Sequence, residues 1–81
     1  MTTMEWKRSE DVSITSGPAY HIDTGRDGIY RYSVEQLLNN RWVFVVMNTR
    51  TGRILHRSRQ EYAGLVQCQV AAESHAARRA A

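Results

Sequence analysis

The sequence has few of the residues that mark secreted, metal-binding or membrane proteins. Its one cysteine, Cys68, rules out an internal disulfide and the multi-cysteine zinc patterns. No apolar run approaches the roughly 20 residues that cross a bilayer. The N-terminal stretch MTTMEWKRSEDVS lacks the apolar core of a signal peptide. We therefore expect a cytoplasmic protein without a metal, a cofactor or a membrane contact.

Lysine is also scarce, and one long segment has no acidic residue. Ten of the eleven basic residues are arginine, and the formal net charge is +3. Residues 36–60 contain five arginines and neither Asp nor Glu. Because the guanidinium group forms bidentate contacts with phosphate and carboxylate, this segment suits an anionic partner. The five residues are Arg41, Arg50, Arg53, Arg57 and Arg59.

The groups that carry enzyme chemistry form no catalytic set. His21, His56 and His75 are widely spaced in the sequence, and the chain has no glycine-rich phosphate loop. Cys68 falls inside a predicted helix, where a small packed thiol is commoner than an activated nucleophile. We expect no catalytic residue and hence a binding protein rather than an enzyme.

Length and composition indicate one small domain. Of 81 residues 42% are hydrophobic, which is enough for a modest core. Residues 1–18 are predicted to be a flexible N-terminal segment that ends in the break SGP, and residues 19–81 a single domain. Such a small domain gains buried area when it forms a homodimer or docks on a larger partner.

Alternating and β-branched runs predict a sheet. Residues 12–15 are a weak candidate strand, and residues 19–23 lead into a turn at Asp27-Gly28. Residues 41–48 are the surest strand, followed by a turn at 48–52 with Gly52 left-handed and a last strand at 53–57. Residues 29–38 favour a strand, although 33–36 also match a helix capping box.

The turn between the two middle strands decides which residues face the core. If Asn39 and Asn40 form a two-residue turn, Val34 lies opposite Val45 and Tyr32 opposite Met47. If the helix covers that face, the opposite face is apolar as well. A soluble monomer rarely leaves such a face bare, so the N-terminal segment, a second copy or another protein would cover it. Its residues are Leu37, Trp42, Phe44 and Val46.

A C-terminal helix completes the predicted fold. Ser58 to Glu61 match a capping box, and Tyr62, Val66 and Val70 form a stripe at helical spacing. We expect an α+β fold in which an antiparallel sheet of three to four strands carries this helix on one face.

Two families resemble parts of the chain. The predicted strands, arginines and helix of residues 29–75 resemble the arm-binding domains of tyrosine integrases and the related AP2 domains, which lay a three-stranded sheet into the DNA major groove. That resemblance implies DNA contacts by the strands and hairpin, with residues 62–70 as the backing helix. The residues concerned are Arg41, Trp42, Arg50, Arg53 and Arg57.

The segment HRSRQEY, residues 56–62, resembles the closing segment of RelE/ParE-type ribonuclease toxins. That resemblance implies phosphate binding by Arg53, Arg57 and Arg59, and proton transfer by His56 or Tyr62. The paired N-terminal helices of that family have no predicted counterpart in residues 1–30.

These observations lead to three functional hypotheses. The first is a non-enzymatic nucleic-acid-binding protein that uses an arginine-rich sheet and hairpin surface. The second is a phage or mobile-element protein that inhibits a larger host protein, as anti-CRISPR-type and other anti-defence inhibitors do, through the apolar face of Leu37, Trp42, Phe44 and Val46. The third is a ribonuclease toxin. The nucleic-acid-binding residues of the first hypothesis are Arg41, Trp42, Arg50, Arg53, Arg57 and Arg59.

Overall fold

A computed structural model describes residues 5–9 and 19–80. Within these ranges, five strands form one antiparallel sheet in sequence order, and a single helix follows. The predicted α+β class is confirmed, whereas the predicted number of strands is wrong because five are present. The elements are β1 (Lys7–Arg8), β2 (Ala19–Thr24), β3 (Tyr30–Gln36), β4 (Trp42–Asn48), β5 (Ile54–Arg57) and α1 (Leu65–Ala80).

The additional strand lies near the N-terminus, where β1 pairs with β2. The Trp6 indole Nε1 donates a hydrogen bond of 2.8 Å to a carboxylate oxygen of Glu73 on α1. The Trp6 side chain also packs against the core. Residues 5–9 therefore lie on the sheet, and the candidate strand at 12–15 and the break at 16–18 fall outside the described residues.

Two turns have the predicted positions. The β2–β3 turn contains a short 3-10 turn, Arg26–Gly28, and Gly25 before it has φ 81°. A Cβ atom on Gly25 would lie 2.9 Å from Cδ2 of Tyr30, so no larger residue fits there without a shift. Gly52 in the β4–β5 turn has φ 74°, as predicted. Residues 30–36 are a strand, which settles the choice between strand and helix.

The β3–β4 turn is one residue longer than expected. Leu37 N donates to Arg41 O at 2.7 Å, and Asn40 N donates to Leu37 O at 2.9 Å. Asn40 has φ 68°, which is the left-handed residue of a three-residue hairpin loop. The turn therefore encloses residues 38–40 instead of 39–40.

This extra residue shifts the register of the two middle strands by one. Tyr32 pairs with Val46 and Val34 pairs with Phe44, so the expected pairing is wrong. Because side chains alternate along a strand, a shift of one residue exchanges the two faces of β4. Trp42, Phe44 and Val46 consequently share a face with Tyr32 and Val34.

Helix α1 covers this face by packing on β3 and β4. The expectation that Leu37, Trp42, Phe44 and Val46 form an open apolar face is therefore wrong for the last three, which are buried beneath the helix. Leu37 is half-buried at the start of the turn. The buried core cluster consists of Tyr32, Val34, Trp42, Phe44, Val46, Cys68 and Ala72.

The helix presents small residues to the sheet. Cys68 and Ala72 are fully buried, whereas Val66 is 68% exposed and Val70 50% exposed. The predicted stripe of Val66 and Val70 is therefore wrong, because small side chains let α1 approach the aromatic residues of the sheet closely. No helix in the described part of the chain is long and apolar enough to span a membrane.

The predicted capping box at Ser58 is also absent, because the sheet uses this residue. The Ser58 hydroxyl accepts from Phe44 N at 3.1 Å and donates to Gln60 O at 3.1 Å. Ser58 N donates to Phe44 O at 2.9 Å, which extends the pairing of β4 with β5. The helix begins later, at Leu65.

Candidate nucleic-acid interface

The fold separates the five arginines of residues 36–60. Strand β4 has seven residues and so spans about 20 Å at 3.3 Å per residue. Arg41 and Arg59 flank the end at which β4 begins and β5 stops, and Arg50 and Arg53 lie in the turn at the opposite end. Arg57 pairs with Val45, which places it on the face away from α1.

Trp42 and Arg41 have internal partners. The Trp42 side chain is 7% exposed, and its ring centroid lies 6.5 Å from that of Tyr20. It therefore offers no open ring face to a base. The Arg41 side chain lies near Glu61, with an Nε–Oε1 distance of 3.5 Å, and also donates to the Glu61 carbonyl at 3.4 Å.

Another set of arginines meets at one end of the sheet, which we call the arginine end. It is formed by three segments that are remote in sequence: residues 25–29, residues 48–53 and residues 77–79. All of its arginines are exposed, and they are Arg26, Arg50, Arg53, Arg78 and Arg79.

Specific contacts hold the three segments together. Thr49 N donates to Ile29 O at 2.8 Å, and the Thr49 hydroxyl donates to Gly28 O at 2.9 Å. The Arg79 guanidinium carbon lies 4.6 Å from the ring centroid of Tyr30, a cation–π contact. The end of α1 is thereby fixed beside the two turns.

The arginine end is strongly positive. Asp27 is the single acidic residue in its three segments. The Arg50–Asp27 ion pair has an N–O distance of 3.6 Å and side chains that are 65% and 72% exposed, so solvent screens it. The helix C-terminus adds only about half a negative charge. Within the described part of the chain, the other four arginines of this end form no ion pair, so their charges remain to attract an anion.

A cleft opens beside these arginines. Its volume is about 200 Å³, and its walls are mainly apolar. Tyr30 and Tyr32 of β3 form one side, and the last turns of α1 form the other. The remaining wall comes from the end of β2 and the following turn. The lining residues are Thr24, Gly25, Tyr30, Tyr32, Ala76, Ala77 and Arg79.

Behind the cleft, two histidines join α1 to the sheet. The imidazole rings of His56 and His75 stack with centroids 4.6 Å apart, and the Tyr32 hydroxyl is hydrogen-bonded to His75 Nδ1 at 2.8 Å. Burial lowers the pKa of His75, and the nearby His56, Arg79 and Arg78 lower it further. Burial also raises the pKa of Tyr32. His75 is therefore neutral at pH 7 and suited to a packing role.

The residues of the HRSRQEY segment do not converge on one site. His56 points toward Phe44 and His75 beneath the helix, whereas Arg57 lies on the opposite face of the sheet. Tyr62 forms a backbone bridge to Trp42 and packs against the core. His56 and Tyr62 therefore both take part in packing within the fold.

Reasoning from the sequence missed most of the arginine end. It selected Arg50 and Arg53, but not Arg26, Arg78 or Arg79. The sequence does indicate where each of these arginines lies. Arg26 lies between two turn glycines, and Arg78 and Arg79 occupy the last turn of a predicted helix. Their proximity depends on the direction in which α1 crosses the sheet, which the local sequence does not specify.

No protein-family model, curated protein or solved structure matches this chain. A function for it has to be inferred from its own geometry and charge.

Proposed function

We propose that this protein is a non-enzymatic nucleic-acid-binding protein and that the arginine end is its contact surface. The observation that carries the proposal is that three separate segments bring five exposed arginines and a single acidic residue to one end of the sheet. Each exposed guanidinium group can donate two parallel hydrogen bonds to phosphate oxygens. Such contacts also release the counterions condensed on the nucleic acid, which favours binding. The fold of the chain thus produces a charge concentration that the sequence alone does not reveal.

The arginine end supports this proposal better than the face of the sheet opposite the helix does. Opposite the helix, Arg31 forms a bidentate pair with Asp23, with N–O distances of 2.8 and 3.1 Å. Glu35 and Val45 lie on the same face, so its charge is mixed. A sheet laid into the major groove in the AP2 manner would bring Glu35 toward the phosphates, at a cost in binding free energy.

The competing proposal, inhibition of a host protein, rested on an exposed apolar face. Helix α1 covers Trp42, Phe44 and Val46 of that face. Among the described residues, the large apolar side chains that are exposed lie on the β3–β4 turn, on β5 and on the outer side of α1. The residues concerned are Leu38, Ile54, Leu55, Val66 and Val70.

Fluorescence anisotropy with labelled mixed-sequence oligonucleotides tests the proposed function. Binding would be measured over a series of salt concentrations for DNA and RNA, single-stranded and duplex. Contact with about three phosphates predicts a slope of log K against log salt of roughly −2 for a single strand and roughly −3 for a duplex. Absence of binding to all four ligands at low salt would refute the proposal.

A further inference from the structure

The cleft beside the arginine end has the size and lining of a site for one small planar group. Its volume of about 200 Å³ lies below the roughly 300–1,000 Å³ of pockets for drug-sized ligands. The Arg79 guanidinium carbon lies 4.6 Å from the centroid of the Tyr30 ring, so these two flat groups form one stacked pair in the cleft wall, and the small side chains of Ala76 and Ala77 line the helix side. Flat aromatic and guanidinium groups are the surfaces on which proteins stack unpaired bases.

Gly25 keeps this cleft open. A Cβ atom at this position would lie 2.9 Å from the Tyr30 ring and 3.1 Å from Cγ2 of Ile29. Any larger residue would therefore push against the ring that forms the cleft wall. The positive φ of 81° at Gly25 also begins the turn that carries Arg26, so the same residue lines the cleft and shapes this turn.

Building on the proposed function, we propose that the arginine end binds single-stranded nucleic acid and that the cleft receives one unpaired nucleobase. The phosphates flanking that base would contact the exposed side chains of Arg50, Arg53 and Arg78. A base in a duplex is stacked and paired, so it can enter the cleft only after leaving the double helix, which costs a few kcal/mol of free energy. A single strand avoids this cost, because its bases are unpaired while its phosphates still contact the arginines. We therefore expect the arginine end to prefer a single strand to a duplex.

Altering the ligand tests the proposal without perturbing the fold. Three probes of equal length would be compared at equal salt: a mixed-sequence single strand, the same strand with its central nucleotides abasic, and the perfect duplex. We expect the abasic strand to bind about tenfold more weakly, the scale of one lost base-stacking contact. We also expect the single strand to bind more tightly than the duplex, although the duplex has the higher charge density.

Filling the cleft tests the location. Ala77→Trp places a large side chain at the mouth of the cleft while leaving every arginine in place, and Ser74→Trp adds the same side chain at another exposed position of α1. Ala77→Trp should weaken binding of the intact strand about tenfold and leave binding of the abasic strand unchanged. Ser74→Trp should affect neither, and urea unfolding would verify that both variants fold.

The outcomes separate this inference from the proposed function. Salt-dependent binding that is equal for intact and abasic strands, and unchanged by Ala77→Trp, would overturn the base site while leaving the arginine end as a phosphate-binding surface. Absence of binding to every probe would overturn both. Tighter binding of the duplex would contradict the single-strand preference.

Discussion

His75 stacks on His56 with ring centroids 4.6 Å apart, and this contact ties the C-terminal half of α1 to strand β5. The rings also lie 5.7 and 5.8 Å from Phe44, and Tyr32 is hydrogen-bonded to His75. The cluster thus forms part of the attachment of the helix to the sheet. Arg78 and Arg79 follow His75 on the same helix, so this attachment positions two residues of the arginine end.

The free energy of unfolding should fall in weakly acidic solution. The pKa of His75 lies below 6.5 in the folded protein, because burial and then the neighbouring His56, Arg79 and Arg78 disfavour its charged form. The unfolded chain therefore binds more protons than the folded chain, and stability is lost as the pH falls through about 6.5 and below. Urea midpoints measured between about pH 8 and pH 5 would show the decrease.

The matched variants for this prediction are His75→Gln and His21→Gln. Gln at position 75 removes the titrating ring from the cluster, so part of the pH dependence should disappear. His21 lies on the face of the sheet away from α1 and is hydrogen-bonded to the Ser9 hydroxyl at 2.9 Å. Its replacement should therefore leave the contribution of His75 to the pH dependence unchanged. An unchanged pH dependence in His75→Gln would contradict the prediction.

Cys68 should be unreactive in the folded protein. Its side chain is fully buried, and burial raises the pKa of its thiol to about 12. Because the thiolate is the reactive species, a disulfide reagent should modify the native protein far more slowly than the urea-unfolded chain. Ser74→Cys adds an exposed thiol on the same helix and serves as the control. Native Cys68 reacting as fast as that added thiol would show that the core is open.

Gly25→Ala should destabilise the protein more than Gly52→Ala. Both glycines have positive φ, 81° and 74°, so alanine strains the backbone at both positions. At Gly25 the new methyl group also meets the Tyr30 ring at 2.9 Å, whereas nothing lies within 4 Å at Gly52. We expect an additional loss of about 1 kcal/mol in the free energy of unfolding for Gly25→Ala. Equal losses in urea unfolding would refute the close contact.

The helix–sheet interface should tolerate no larger residue at Ala72. This residue is fully buried against the sheet, so Ala72→Leu should lower the free energy of unfolding by about 1–3 kcal/mol through overpacking. Ser74→Leu introduces the same side chain at an exposed helical position, where the change should remain within about 0.5 kcal/mol. Similar effects of the two substitutions would contradict the described orientation of α1.

Local sequence patterns predicted the elements better than their pairing. The β-branched run of β4 and the glycine turns gave the correct strands, because those preferences act within a few residues. The predicted register of β3 and β4 was wrong because of Asn40, since a left-handed residue there fits either a two-residue or a three-residue loop. That one-residue difference exchanged the faces of Trp42, Phe44 and Val46.

The prediction of which face of α1 is buried was wrong for a related reason. Val66 and Val70 are more hydrophobic than Cys68 and Ala72, yet the smaller pair faces the sheet. Space beneath α1 is limited because Tyr32, Trp42 and Phe44 already fill it. The arginine end follows from the same long-range packing, since the crossing of α1 brings Arg78 and Arg79 to the turns that carry Arg26 and Arg50. Such proximity depends on tertiary packing and leaves no local signal.

The most direct test compares two triple variants that remove equal charge. Arg50→Gln, Arg53→Gln and Arg78→Gln alter the arginine end, whereas Arg41→Gln, Arg57→Gln and Arg59→Gln alter arginines elsewhere on the molecule. The salt dependence of single-strand binding would be measured for both and for the parent protein. We predict that only the first variant reduces the slope of log K against log salt, by about 2 for three lost phosphate contacts. An equal reduction in both variants, or a reduction confined to the second, would contradict the arginine end as the binding surface.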